Sequence, residues 1–237
     1  MTKAAIAVPD QRLFWDRWHG KHAHASHTEH SKDALRTFAS ALPQSEDLRL
    51  LEIGCGQGRE AVALARNGFR VSAFDHSSVA IAAAKTNAIR EDVRVDFVEH
   101  DAAQPLPYAS GTFGGTFAHL SLHYFDHLTT RGIFAEIARV LKPSGVLLFT
   151  VRSDRDPLFG QGDCIDAKTF CREGHVRHFF DKPYVEDMLL HWDIQLAEYY
   201  DTSDREINPG VFIRVLATHP DKHLPALRGP FERRADS

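Results

Sequence analysis

A glycine-rich turn follows the short apolar run at residues 50–53, with glycines at Gly54, Gly56 and Gly58. Glycine has no Cβ, so the backbone can turn tightly there and a ligand can approach it closely. The G-x-G-x-G spacing differs from the G-x-G-x-x-G spacing of a dinucleotide site. Glu52 stands two residues before the first glycine, where a carboxylate would repel a pyrophosphate and attract an ammonium group. The turn therefore favours a ligand with an amino group.

Acidic residues also follow the next two predicted strands. Asp75 ends the apolar residues 71–74, about 20 residues after the first glycine. One carboxylate can accept hydrogen bonds from two neighbouring hydroxyl groups, so this position suits a ribose. Asp101 follows the third predicted strand.

Alternating strands and helices must position these residues. The apolar runs predict strands at 50–53, 70–74, 93–98, 112–118 and 146–151. Helical periodicity predicts helices at 59–66, 78–89 and 130–141, capped by Ser77 or Ser78 and by Thr129 or Thr130. Serial βα units imply a parallel sheet with helices on both faces, and such sheets bind ligands at the carboxyl ends of their strands.

The flanks of this region add further predicted elements. Helices are predicted at 13–18, 35–42 and 183–192, and strands at 194–200 and 211–217 that pair as a hairpin. The sequence is divided into an N-terminal helical lid or extension at 1–48, a main domain at 49–219 and a tail at 220–237. Residues 10–30 are expected to close over the ligand.

The sequence resembles the class I S-adenosylmethionine-dependent methyltransferases over residues 49–151. The resemblance rests on the acid before G-x-G-x-G, on Asp75, on Asp101, on Ala118-His119-Leu120 and on residues 137–147. It implies an α/β fold, a doubly wound, mostly parallel seven-stranded sheet with an antiparallel last strand. It implies S-adenosylmethionine as cofactor and a methyl-transferring enzyme. Residues 121–125 and 174–180 resemble small-molecule methyltransferases of the tellurite-resistance group.

The resemblance also implies a set of cofactor-binding residues. They are Trp15, Glu52, Gly54, Gly56, Gly58, Asp75, His76, Asp101, Ala102 and His119. The glycines and Glu52 are expected at the methionine end, Asp75 at the ribose and Asp101 near the adenine. Trp15 and Trp18 have two interpretations, either packing at the edge of the core or an aromatic lid whose faces attract a sulfonium.

A small-molecule acceptor is expected on the other side of the sulfonium. The candidate catalytic residues are His123, Tyr124, Arg177 and His178. A hydroxyl or ammonium acceptor needs a base, for which His119, His123 and His178 are candidates. A soft anion needs no base, and Arg152 or Arg177 would hold the anion by its charge. Arg152 is equally well explained as a member of a surface ion pair. The long segment 151–180 is predicted to roof this pocket.

Other chemistries are weighed against these assignments. The histidines between 19 and 30, and the set Cys164, Cys171, His175 and His178, have metal-like composition but lack the spacing of a known site, so no metal is predicted. Cys55 is small enough to fit the glycine turn and has no adjacent base. A nicotinamide oxidoreductase, a cofactor-binding protein without methyl transfer and a protein methyltransferase remain alternatives.

Composition limits the partners. The 237 residues have a net charge of −4, and residues 118–121 lack the N/D-P-P-Y/F signature of amino-methylating nucleic-acid enzymes, so nucleic acid is not expected. No apolar run reaches the roughly 18 to 20 residues of a membrane span, and the N-terminal apolar stretch is too short for a signal peptide. Three cysteines without framework spacing favour the cytoplasm. A monomer or a homodimer is expected.

Overall fold

The computed structural model describes residues 10–22, 29–45, 48–202 and 209–220. The described helices are α1 (Arg12–Lys21), α2 (Glu29–Ala41), α3 (Arg59–Arg66), α4 (Ser78–Arg90), α5 (His127–Val140) and α6 (Lys182–Met188). The strands are β1 (Arg49–Ile53), β2 (Arg70–Asp75), β3 (Val95–Glu99), β4 (Phe113–His119), β5 (Leu141–Arg152), β6 (Asp163–Asp166), β7 (Thr169–Arg172), β8 (His175–His178), β9 (Asp193–Asp201) and β10 (Val211–Thr218). The predicted tail lies outside the described residues beyond position 220.

Seven strands form one sheet in the order β3-β2-β1-β4-β5-β10-β9. Strands β1 to β5 are parallel, and β10 runs antiparallel to both β5 and β9. The predicted fold class and the predicted closing hairpin are confirmed. Strand order reverses between β1 and β4, so the exits of these two strands form the crevice in which such sheets bind ligands.

Helices cover both faces of the sheet. On one face α5 and α6 bury Ile137 and Val185 against Phe149 of β5. On the other face α2, α3 and α4 pack against β1, β2 and β4. Helix α2 approaches β4 closely because Gly115 has no side chain: a Cβ there would lie 2.6 Å from Leu42 and 2.8 Å from Phe38. Helix α2 is therefore packed on the sheet, whereas α1 crosses the carboxyl ends of the strands.

The segment between β5 and α6 differs from the sequence prediction. Residues 151–180 were expected as a long irregular connection, but β6, β7 and β8 form a three-stranded antiparallel sheet. Each of these strands has only four residues, too few for alternation to stand out in the sequence. The main-chain N–H of His178 donates to the carbonyl of His123 at 2.9 Å, so β8 lies beside the loop after β4.

Two helix boundaries also differ from the sequence prediction. Helix α5 begins at His127, because Asp126 rather than Thr129 or Thr130 is its N-cap and accepts from the N–H of Thr129 at 2.9 Å. Helix α6 ends at Met188, four residues before the predicted end. Ser77 is the N-cap of α4, which confirms the first of the two predicted caps, Ser77 and Ser78. Within the described ranges, none of the helices combines the length and apolar character that a bilayer crossing requires.

Candidate functional site

The glycine turn joins β1 to α3 at the crevice. Gly54, Gly56 and Gly58 have φ angles of +67°, +51° and +72°, a region that residues with a Cβ rarely adopt. A Cβ on Gly54 would collide with Ser121, and one on Gly58 would lie 2.7 Å from Phe97. The loop after β4 therefore rests directly on the turn, and this close packing requires residues without a Cβ.

Asp75 lies beside this turn at the end of β2 and is 8% exposed. One carboxylate oxygen accepts from the N–H of Gly56 at 2.8 Å, and the other accepts from the N–H of Ser77 at 2.9 Å. These two bonds fix the orientation of the carboxylate. A carboxylate oxygen has two lone pairs, so each can still accept from a hydroxyl group.

Glu52 is buried beneath the turn and is 2% exposed. Its carboxyl group accepts from the N–H of Ala61, while its Oε2 has no hydrogen-bond partner among the described residues. Burial, with the nearby charge of Glu60, raises its pKa well above the ordinary value. A buried carboxyl with an unpartnered oxygen next to this glycine turn fits a ligand with an ammonium group.

Helix α1 lies across the cofactor-side residues. The side chain of Gln57 donates to the carbonyls of His19 at 3.3 Å and His22 at 3.1 Å, and Ser77 donates to Asp16 at 2.6 Å. The ring of His19 would lie 3.1 Å from a Cβ on Gly56, and Arg12 forms an ion pair with Glu99 at the end of β3. The N-terminal helix thus covers the turn and the ends of β2 and β3.

The same helix reaches the loop after β4 and strand β8. The Gln11 amide donates to the carbonyl of Tyr124 at 2.7 Å, and its oxygen accepts from the N–H of Val176 at 3.0 Å. The Trp15 ring lies 4.6 Å from that of Tyr124 and 5.4 Å from that of His175. Trp15 therefore packs against the acceptor side. Trp18 instead stacks on His22, 4.5 Å away.

The loop after β4 has strained geometry and buried polar groups. Leu120 has a φ of +58°, which is unusual for a bulky residue and is typical of functional sites. Ser121 fixes the loop to β1 by donating to the carbonyl of Ile53 at 2.6 Å. The side chain of His123 is fully buried, and neither ring nitrogen has a partner among the described residues. Burial, with the charges of Arg152 and Arg177, lowers its pKa well below the ordinary value.

The other predicted acceptor-side residues lie on different faces of β8. His175 and Arg177 face Tyr124, because alternate residues of a strand share a face. His178 faces the opposite side, where its Nδ1 is 2.6 Å from the hydroxyl of Thr169 and its ring packs on Tyr184. The structure therefore brings His123, Tyr124 and Arg177 together and separates His178 from them.

Arg152 is buried and forms an ion pair with Asp156, so the predicted ion pair exists in the interior rather than at the surface. Asp156 also accepts from the N–H of Val211 at 3.1 Å. Arg177 differs from Arg152, because no ion pair joins it to any described carboxylate and its buried Nε has no partner there. Burial lowers the pKa of Arg177.

The remaining predicted cofactor residues lie around the same edge. His119 ends β4, and His76 follows Asp75 directly and is half-buried. Asp101 is exposed and accepts from the N–H of Ala103 at 2.9 Å, while Ala102 packs on the core. The sequence interpretation missed Gln11 and Asp16, whereas it placed His175 in the segment 151–180 that is predicted to roof the acceptor pocket.

A metal site and a reactive cysteine both lack the necessary geometry in the described part of the chain. No three of its histidine, cysteine, aspartate or glutamate side chains are placed to hold a metal ion. His24 and His27 lie outside the described residues. Cys55 is buried, and burial raises the pKa of its thiol well above the ordinary value, so it remains protonated.

The sheet order and the glycine turn at its switch point define a Rossmann-like methyltransferase fold. Residues 50–145 match the family model described as "Methyltransferase domain". The chain is 34% identical to the ubiquinone biosynthesis O-methyltransferase of Caulobacter over 44% of this chain and 40% of that protein. It is 37% identical to the 27-O-demethylrifamycin SV methyltransferase of Amycolatopsis mediterranei over 46% of this chain and 40% of that protein. Residues 50–145 are thus similar to a methyltransferase domain, and the relatives that share this similarity are named methyltransferases.

Solved structures share the fold at lower identity. A methyltransferase of Methanosarcina mazei has a TM-score of 0.66 at 21% identity, covering 76% of this chain and 95% of that one. The 1,6-didemethyltoxoflavin-N1-methyltransferase of Burkholderia thailandensis, solved with S-adenosylhomocysteine, has 0.64 at 18%, covering 93% and 94%. TehB of Haemophilus influenzae has 0.61 at 15%, covering 86% and 66%. The chain spans about two fifths of the length of the first curated relatives.

Proposed function

We propose that this protein transfers the methyl group of S-adenosylmethionine to a small-molecule acceptor by in-line displacement. The observation that carries the proposal is the left-handed turn of Gly54, Gly56 and Gly58 between two buried acids, Glu52 and Asp75. The methyltransferase domain match and the Burkholderia neighbour, which was solved with 1,6-didemethyltoxoflavin and S-adenosylhomocysteine bound, support it.

The cofactor would be held by the chain's own polar groups. Glu52 would pair with the amino group, which would give its Oε2 a partner and lower its raised pKa again. Asp75 would accept from the ribose hydroxyls, and Asp101 and Ala102 would flank the adenine. When bound, the cofactor supplies a methyl group on a sulfonium, which needs no further activation.

The acceptor would lie between the loop after β4 and β8. His119 would flank the methyl group, and His123 and Tyr124 would form one wall, with Arg177 on the other. Trp15 would exclude water from the acceptor side, because its ring packs on both Tyr124 and His175. Positioning and water exclusion can provide most of the acceleration for such a displacement. His178 would act as a positioning residue through its main-chain bond to His123.

The proposal also covers the localisation, the partners and the domain organisation of the protein. We propose a cytoplasmic protein without a nucleic-acid partner, supported by its net charge of −4. We also propose that residues 1–48 include a lid formed by α1, whereas α2 belongs structurally with the main domain, because Phe38 and Leu42 are buried in its core.

Calorimetry with S-adenosylmethionine, S-adenosylhomocysteine and NAD tests the first step. We expect the first two to bind and NAD not to bind. Asp75→Ala is expected to weaken binding about tenfold or more, because charge-assisted hydrogen bonds contribute about 1.5 to 3 kcal/mol. Asp75→Asn is the matched control, since its amide oxygen can still accept from one main-chain N–H. Equal binding to wild type and Asp75→Ala would contradict the assignment.

A release assay tests the second step. Purified protein and S-adenosylmethionine are incubated with either the low-mass or the protein fraction of a cell extract, and S-adenosylhomocysteine is measured. We expect release with the low-mass fraction. Release with the protein fraction alone would favour a protein methyltransferase, and binding without release would favour a non-methylating protein.

A further inference from the structure

A cavity of about 170 Å³ lies between α1 and β8, beside the residues proposed to hold the acceptor. Its walls are formed by Phe14, Leu158, Arg172, Glu173, His175 and Arg177. The ring of Phe14 stacks on that of His175, with 4.2 Å between centroids and 30° between planes. The ring of Phe14 is 40% exposed, whereas His175 is buried behind it, so a planar group can pack on the ring of Phe14.

The two arginines of this cavity differ in their partners. Arg172 donates to the side chain of Gln161 at 2.6 Å and lies 3.8 Å from Glu173, so its guanidinium is already engaged. Arg177 forms no ion pair with a described carboxylate, and its Nε is buried without a partner among the described residues. A half-buried guanidinium is normally matched by a carboxylate or a phosphate. Among the described residues of this cavity, Arg177 thus has bonding capacity left for an anionic ligand, beside the unpartnered Nδ1 of His175.

The imidazoles around Arg177 are held in the neutral form. Burial and the nearby arginines lower the pKa of His123 well below the ordinary value and that of His175 to about 3. Methylation of a neutral hydroxyl or amine releases a proton, and imidazoles that resist protonation are poor acceptors for it. An acceptor that is already an anion releases no proton on methylation.

We propose, resting on the proposed function, that the methyl acceptor is a small planar oxyanion and that Arg177 binds its charged oxygen group. An oxygen of that group forms the new bond to the methyl carbon as the sulfur–carbon bond breaks, and the bonding pair stays on sulfur. The anion and the sulfonium both lose their charge, which leaves a neutral methylated product and a neutral thioether. The exposed ring of Phe14, supported from behind by His175, packs on the planar body of the acceptor.

Binding of matched probes tests this assignment without the natural acceptor. Full-length protein saturated with S-adenosylhomocysteine is titrated calorimetrically with benzoate and with benzamide, its neutral isostere. We expect benzoate to bind about tenfold or more tightly than benzamide, because only the anion forms charge-assisted hydrogen bonds. Arg177→Met should abolish this preference while S-adenosylhomocysteine still binds, and Arg177→Lys should restore part of it.

Arg172→Met is the matched control, because it removes a guanidinium of the same cavity whose bonds lie within the chain. Benzoate affinity should change less than about threefold in this variant. Equal binding of benzoate and benzamide to wild type, or an unchanged preference in Arg177→Met, would overturn the inference. Inorganic phosphate displacing benzoate at equal concentration would also overturn it, by indicating a generic anion site. If the wild-type protein does not bind S-adenosylhomocysteine, that result would instead contradict the proposed function.

Discussion

A hydrogen bond of 2.7 Å joins the side-chain amide of Gln11 to the main-chain carbonyl of Tyr124, 113 residues away. The oxygen of the same amide accepts from the N–H of Val176 at 3.0 Å. Gln11 precedes α1, Tyr124 lies in the loop after β4, and Val176 lies in β8. One side chain therefore ties the lid to both walls of the proposed acceptor pocket.

Removing this side chain is expected to loosen β8 without affecting the cofactor site. In Gln11→Ala the amide proton of Val176 should exchange with solvent roughly fivefold faster, since a hydrogen bond contributes about 1 kcal/mol. Exchange at the N–H of His178, which donates to the carbonyl of His123, should not change. Gln11→Glu keeps an acceptor for Val176 and is expected to preserve its protection. Unchanged exchange at Val176 in Gln11→Ala would show that the bond does not hold the strand.

The buried carboxyl of Glu52 is expected to oppose folding and favour ligand binding. Its pKa in the folded state is raised, so its contribution lowers stability as the pH rises above about 4.5, the unfolded value. Glu52→Gln should raise the free energy of unfolding at pH 7.5 by about 1 to 3 kcal/mol in ligand-free protein. The same variant should bind S-adenosylmethionine more weakly. Thermal unfolding and calorimetry measure both effects, and a destabilised variant with normal affinity would contradict this account.

Much of the fold could be predicted from the sequence because its central strands are apolar and alternate with helical patterns. Strands β1, β2, β4 and β5 and the glycine turn have local signals that tertiary packing does not change. The short sheet of β6 to β8 has no such signal. Without that sheet, the sequence could not show that Arg177 and His178 lie on opposite faces of one strand.

The individual contacts by which α1 docks on the rest of the domain also could not be predicted from the sequence. Trp15 stood out as an aromatic residue ahead of the main domain, whereas Gln11 and Asp16 did not. Their contacts join side chains to groups 61 to 165 residues away, and two of them reach main-chain atoms, which have no sequence signature. Contacts of this kind depend on the assembled sheet rather than on any local pattern.

The buried side chain of His178 in β8 is expected to lower the stability of the protein in acid. Burial lowers the pKa of His178 to about 4, whereas an unfolded histidine titrates near 6.5. The unfolded state therefore binds more protons, and the free energy of unfolding should fall between pH 6.5 and pH 4. We expect His178 to account for about 1 to 2 kcal/mol of the loss between pH 7.5 and pH 5.0.

Urea unfolding of His178→Asn at these two pH values measures this contribution. The variant should be less stable at pH 7.5, because it loses buried packing, and its stability should depend less on pH than that of wild type. His191→Asn is the control, since His191 is exposed and its positive φ of +74° is tolerated by asparagine. A pH dependence that is the same in wild type and His178→Asn would contradict the prediction.

The lid contact between Asp16 and Ser77 is expected to govern access to the cofactor site. Ser77 caps α4 and follows Asp75 by two residues, so a lid that opens there exposes the proposed ribose-binding carboxylate. Trypsin should cut after Arg17 and Lys21 more slowly when S-adenosylmethionine is bound, because the cofactor would add contacts beneath α1. Asp16→Ala should be cut roughly fivefold faster in both states, as expected for the loss of about 1 kcal/mol. Asp33→Ala on the exposed side of α2 should be cut like wild type. Equal cutting of wild type with and without cofactor would show that α1 is a fixed part of the domain rather than a lid.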